Sequence, residues 1–404
     1  MTLQRLPRQA ALVALALVFV LVAIAWRATT ESSPALSVDR TLAAYVRVPG
    51  GAPVLAWPRA GEAAVQVEGI GGAASSGERT PVPIASVAKV MTAYLTLREH
   101  PLGTGQEGFT MTITRAEVAE QERRAALLES TLPVRAGEQI TERQALQALL
   151  LPSANNIAAL LAVHDAGTLA AFVSQMNATA HELGMRATTY TDPSGFEDTT
   201  VSTAVDQLKL ARVVMHVQAF AAIVAEPAAE LPLVGSVSNY DTLLGSDGYA
   251  GIKTGSDRAA GGCFMFAKSI SIDARRLTVL GVVLGQREGA LIEAALASAQ
   301  RLGDSVTAAL RVRTVLPAGT RVLGVTNADG TRVIARTSVA LREVAWGGLR
   351  LPVRVLVRPV GTHLRTGQLI ATVAVGGAGV EFAGVIAAHA LGGPSLGWRL
   401  QHLL

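Results

Sequence analysis

Apolar and polar positions divide the chain into stretches of different period. Ala10 to Trp26 is a run of seventeen residues without charge, behind Arg5 and Arg8. Such a run sits at the lower limit for a membrane-spanning helix and exceeds the usual apolar core of a signal peptide. Two readings stay open: a retained membrane anchor, or a signal peptide cleaved near the small residues Ala23-Ile24-Ala25. The arginines before the run favour an inside N-terminus, so either reading puts the rest of the chain outside the cytoplasm. Thr29 to Leu36, TTESSPAL, is polar and carries a proline, as a linker does.

From Ala43 the pattern turns strand-like, with YVRVPG and then AAVQVEGIGG before a glycine-rich turn. In PVPIASVAKVMTAYLTL, residues 81–97, apolar side chains cover nearly the whole circumference from Ile84 onward. That predicts a helix buried all round. FTMTIT reads as a strand, and the chain from about Arg115 to Val224 as helix-rich. CFMFAKSI and RLTVLGVVLG flank the polar Asp273-Ala274-Arg275-Arg276 as in a hairpin, and ALIEAALASAQRL follows as a closing helix. Strands at both ends of a helical middle predict an α+β domain whose sheet unites distant segments. Beyond residue 310, GTRVLGV, TRVIART, LPVRVLVRPV and QLIATVAV alternate or run apolar, with Asp329-Gly330 as a hairpin turn. The expected organisation is an anchor or signal at 1–28, a linker at 29–42, a main domain at 43–310 and a small β domain at 311–404.

Composition narrows this picture. Half of the residues are hydrophobic and 16% are charged, which excludes long disordered regions. The single cysteine, Cys263, excludes an intramolecular disulfide, and its apolar setting GGCFMFA is that of a buried thiol. None of the seven histidines shows HExxH or another paired ligand spacing, so neither a metal nor any other cofactor is expected. The net charge of +4 conceals an asymmetry: residues 311–404 hold eleven arginines, no lysine and three acids, a net of +8. A basic β domain could be held by anionic lipid or wall polymer, or its arginines could simply be the solvated faces of strands. No nucleic-acid partner is expected.

Three short stretches carry candidate chemistry. Ser86-Val-Ala-Lys89 puts a serine and a lysine three residues apart, on one face of an apolar helix. Ser153-Ala-Asn155 opens a second apolar helix, and Lys253-Thr254-Gly255 precedes the hairpin. Each alone has a bland reading, a helix cap with an outward lysine or a turn into a strand. In this order they match what an activated serine requires. A serine nucleophile needs a base, and a lysine kept neutral by burial and by a neighbouring cation can accept the hydroxyl proton. Backbone N–H groups at a helix start and at a strand edge, those of Ser86 and Ser256, can form an oxyanion hole. Gly255 leaves the strand edge open for a substrate.

The ordered S-x-x-K, S-x-N and K-T-G set resembles that of the D-alanyl-D-alanine carboxypeptidases, low-molecular-mass penicillin-binding proteins related to the serine β-lactamases. VRAGEQITERQALQALLLPSANNIAALLA, FVSQMNATAHELGMRATTYTDPSGFED and DGYAGIKTGSDRAAGG extend the similarity over roughly Ala43 to Gly303. The resemblance implies a β-lactamase/transpeptidase-like α+β domain, an antiparallel sheet with a helical cluster. It implies Ser86 as the acylated nucleophile, Lys89 as its base, and Ser153 as the hydroxyl that relays a proton to the leaving amine. Asn155 would hold the substrate peptide, Lys253 support the relay, and Thr254 bind the terminal carboxylate. The implied substrates are peptidoglycan stem peptides ending in D-Ala-D-Ala, with β-lactams as inhibitors. Two departures stand out: Asn156, where relatives often have aspartate, and Ser194, where many have histidine. Glu197 and Asp198 read as solvated loop charges outside the site. A β-lactamase, an endopeptidase acting on cross-links and a catalytically silent wall-binding scaffold are the competing readings.

Overall fold

A computed structural model describes residues 8–30, 33–77, 80–273, 275–376 and 381–402. By internal contacts the chain divides into two units, one of residues 51–311 with 344–349, the other of 1–50, 312–343 and 350–404.

The first unit is built on a five-stranded antiparallel sheet in the order Tyr249–Asp257, Gly261–Ile272, Arg275–Gln286, Glu62–Val67, Ala74–Ser76. The apolar runs predicted as a hairpin pair from Gly262↔Gln286 to Ile272↔Arg275. They read as runs, not alternations, because both faces of the sheet are covered. Cys263, Met265 and Ala267 join the main core with the helices. The neighbouring positions point the other way, to helix Leu291–Ala309: Lys268 pairs with Asp304 at 2.5 Å, and Tyr249 from the adjacent strand donates to the Ala299 carbonyl.

On the core side lie Lys89–Glu99, Arg115–Ala126, Glu142–Leu150, Asn155–Ala166, Leu169–Glu182, Ala204–Val214 and Gln218–Val224, the helix-rich middle expected from the sequence. Lys89–Glu99 is the central one, buried from Lys89 to Leu97 apart from the half-buried Tyr94. This is the α+β fold anticipated, an antiparallel sheet with a helical cluster.

The second unit holds a seven-stranded sheet in the order Ser37–Arg40, Arg321–Thr326, Arg332–Thr337, Phe382–Ala387, Leu369–Val375, Arg350–Val357, Tyr45–Arg47. All four segments expected as strands after residue 310 are strands, and Asn327 to Thr331 close the hairpin around Asp329-Gly330. The expected boundary at residue 43 differs from the structure. Ser37–Arg40 pairs with Arg321–Thr326, and Tyr45–Arg47 with Arg350–Val357, so this stretch supplies both edge strands of the C-terminal sheet. Each is four residues or fewer, too short for a period to reveal its sheet.

At the N-terminus, Arg8–Thr30 is helical and extends into the segment expected to be a linker. Among the described residues no single helix is long and apolar enough to cross a membrane, although Leu12–Arg27 is a shorter apolar helix. The readings of Arg5 and of residues 31–32 lie outside the described residues.

Candidate active site

The stretch expected to be helical from Ile84 begins instead as a single 3-10 turn, Ala85–Ala88, and becomes α-helical at Lys89. The break originates at Ala85, whose φ of 44° is left-handed. For alanine that conformation costs about 1–3 kcal/mol and persists only where the surroundings impose it. Gly195 is part of the constraint: at φ 77° it lies against the Ala85 carbonyl, where a Cβ would collide. The result lifts Ser86 to the partly exposed side of an otherwise buried turn.

Lys89 is 0% exposed, and its Nζ donates to Ser86 Oγ at 2.7 Å and to the Ser194 carbonyl at 3.0 Å. Burial pushes its pKa well below the ordinary lysine value, and the cation of Lys253 acts in the same direction; Asp192 and Glu129 oppose them. An amine so placed can take a proton from the serine while keeping its bond to the carbonyl.

Ser153 and Asn155 open the helix Asn155–Ala166, Ser153 with a left-handed φ of 67°. Ser153 Oγ and Asn155 Oδ1 are buried and have no hydrogen-bond partner among the described residues. Buried polar groups are nearly always satisfied, so two such atoms in one turn suit a bound substrate. Asn155 is held by its other end: Nδ2 donates to Glu129 Oε2 at 2.8 Å, and the same oxygen accepts from Arg124 at 2.9 Å. Asn156 is clamped on Leu132, whose N–H it accepts and to whose carbonyl it donates, both at 2.9 Å. An aspartate here would lack the donor for that carbonyl, so the departure from aspartate serves a backbone clamp.

Lys253, Thr254 and Gly255 lie within the strand Tyr249–Asp257, not in a turn before it, and this strand is an edge of the sheet. Lys253 Nζ is buried without a hydrogen-bond partner among the described residues. Desolvation lowers its pKa to about 7, against the attraction of Asp241. Asp241 is itself buried, which raises its pKa to about 6, and one of its oxygens accepts the Leu243 N–H. Gly255 touches the turn that carries Ser86: a Cβ there would stand 2.9 Å from the Ser86 nitrogen and 3.1 Å from that of Val87. Ser256 follows, exposed and paired with Gly262.

The structure thus places Ser86 against both Lys89 and Gly255, links Lys89 electrostatically to Lys253, and ties Asn155 to the Glu129 that also acts on Lys89. Glu197 and Asp198 are exposed. Several neighbours escaped the sequence reading. Asp192 gathers the N–H groups of Ser194 and Phe196 and the hydroxyls of Ser194 and Thr200, fixing the loop whose carbonyl holds Lys89. Its sequence signal is the turn composition of Asp-Pro-Ser-Gly, since aspartate readily bonds backbone two residues on. Arg124, Glu129 and Asp241 have no local signal.

Compared with known proteins, residues 62–288 match the family model for D-alanyl-D-alanine carboxypeptidase. A D-alanyl-D-alanine endopeptidase of Pseudomonas aeruginosa is 40% identical over 130 residues, 32% of this chain and 38% of that protein. The D-alanyl-D-alanine carboxypeptidase DacB2 of Mycobacterium tuberculosis is 35% identical over 204 residues, 49% of this chain and 65% of the relative. The chain therefore spans between about two fifths and two thirds of these relatives' lengths. The crystal structure of the Streptomyces K15 DD-transpeptidase superposes with a TM-score of 0.54 at 25% identity, covering 64% of this chain and all of that one.

Proposed function

The chain belongs to the D-alanyl-D-alanine carboxypeptidase family, and from that premise we propose that it removes the terminal D-alanine from peptidoglycan stem peptides through an acyl-enzyme on Ser86. The observation that carries this reading is the 2.7 Å contact of Lys89 Nζ with Ser86 Oγ at a fully buried lysine. Ser86 Oγ attacks the carbonyl before the terminal D-alanine while Lys89, neutral, takes its proton. The oxyanion is held by the N–H groups of Ser86 and Ser256, which Gly255 leaves accessible. The Ser153 hydroxyl passes a proton to the departing amine, with the Lys253 cation beside it. Asn155 grips the peptide with its free carbonyl oxygen, and Thr254 with Lys253 receives the terminal carboxylate. Water then cleaves the ester and frees Ser86. β-Lactams, which mimic the D-Ala-D-Ala terminus, acylate the same serine. The apolar N-terminal helix suits attachment at the outer face of the cell membrane, or export.

The test is release of D-alanine from a peptide ending in D-Ala-D-Ala, with its C-terminal amide as control. Free-acid peptide is cleaved and the amide far more slowly, because the buried carboxylate donors are left unpaired without their anion. Equal rates on both, or no release, sink the proposal. The P. aeruginosa relative's name favours a second reading, cleavage of the cross-link between stem peptides. Digestion of a cross-linked muropeptide dimer separates the two, since only an endopeptidase yields monomers.

A further inference from the structure

We propose that His100, His164 and Asp165 form a binding site for a divalent transition ion of the zinc class, away from Ser86. His100 closes the C-terminal end of helix Lys89–Glu99, and His164 and Asp165 lie in the last turn of Asn155–Ala166. His164 Nδ1 is 2.9 Å and His100 Nε2 3.5 Å from the same carboxylate oxygen, Asp165 Oδ1. One ligand atom from each residue lies within 4.8 Å of the others. Ligands on a tetrahedral zinc, with bonds of about 2.1 Å, stand about 3.4 Å apart, so small side-chain adjustments close the three around an ion. Two imidazoles and one carboxylate are a donor set that zinc accepts, with water in the fourth position.

The surroundings orient these ligands. Asp165 is 3% exposed at its side chain, and its second oxygen accepts the Thr96 hydroxyl at 2.6 Å, the outer bond that fixes a metal-bound carboxylate. Phe109 stacks on the His164 ring at 4.1 Å and meets the His100 ring edge-on at 4.8 Å, setting both planes. The imidazoles are about one-third exposed, at 35% and 31%, which gives an ion and its water a way in. On the Phe109 side, buried Glu142 has one carboxylate oxygen without a hydrogen-bond partner among the described residues and is close enough for Asp165 and His164 to act on it. Histidines so distant in the chain present no ligand spacing, which is why the sequence suggests no metal. An ion here would join the far ends of the two helices whose starts carry Lys89 and Asn155.

The test uses the full-length chain, freed of metal with chelator and titrated with Zn²⁺ by calorimetry and with Co²⁺ by visible absorption. One ion binds per chain, Co²⁺ gives a tetrahedral spectrum, and saturating Zn²⁺ raises the melting temperature. His164→Gln and His100→Gln, at partly exposed positions, each weaken Zn²⁺ binding by at least about tenfold. Absence of saturable binding to the unaltered chain, or an affinity that either variant leaves unchanged, overturns the site and leaves a hydrogen-bonded His–Asp–His cluster only.

Discussion

The two units treat their cations in opposite ways. In the first, Lys89 and Lys253 are at most 1% exposed, and among the described residues neither forms an ion pair. In the second, none of the ten arginines after residue 311 is buried. Arg124 shows the remaining combination: it is buried, yet two carboxylates, Glu120 and Glu129, bond its guanidinium at 2.7 and 2.9 Å. The contrast separates two uses of positive charge. A buried cation with carboxylate partners is structural. A buried amine without them is pushed toward the neutral form, which is what a base for serine requires. Arginine cannot serve, because it does not give up its proton.

The largest effect expected from breaking this contrast is at Lys89. Lys89→Arg puts a fixed cation where the neutral base stood, so penicillin acylation measured by stopped-flow should fall by about 10²–10⁴-fold. An arginine variant that acylates normally would remove Lys89 from the chemistry. Next is Gly255→Ala, whose methyl would press on the Ser86 nitrogen. Acylation should drop by about 10²–10³-fold, the loss typical of one oxyanion donor, and because the atoms met are backbone the melting temperature should fall as well. Unchanged acylation would show that Ser86 N–H is not used.

Part of this could be read from sequence and part could not. Ser86 with Lys89, Ser153 with Asn155 and Lys253 with Gly255 are each joined within three residues, so a local pattern carries them. The supports are non-local: Ser194 reaches Lys89 across 105 positions and Glu129 reaches Asn155 across 26. A carbonyl acting as a hydrogen-bond acceptor has no residue preference to betray it. The fold divides the same way. Long runs such as Gly261–Ile272 announced their hairpin, whereas Ser37–Arg40 and Tyr45–Arg47 were too short to announce their partners.

A smaller effect concerns pH. Lys253 is charged below about 7 and neutral above, so affinity for a carboxylate terminus should fall as pH rises through that value. Lys89 must be neutral, so activity should also fall on the acid side as it takes up a proton. kcat/KM against pH is expected to be bell-shaped. Asp241 raises the Lys253 pKa, so Asp241→Asn should move the alkaline limb to lower pH. A limb that stays in place would disconnect Asp241 from Lys253. The smallest effect is at the arginines: Arg354→Gln, on an exposed strand position, should change stability by no more than about 0.5 kcal/mol and leave acylation intact. A larger destabilisation in thermal unfolding would mean that the basic face is structural.

The central claim is that Ser86, activated by a neutral buried lysine, forms the acyl-enzyme, and mass spectrometry of the full-length chain after incubation with penicillin tests it most directly. A single adduct is expected on the peptide containing Ser86, absent from Ser86→Ala at an unchanged melting temperature. An adduct that persists in Ser86→Ala, or that maps to another peptide, would contradict the assignment.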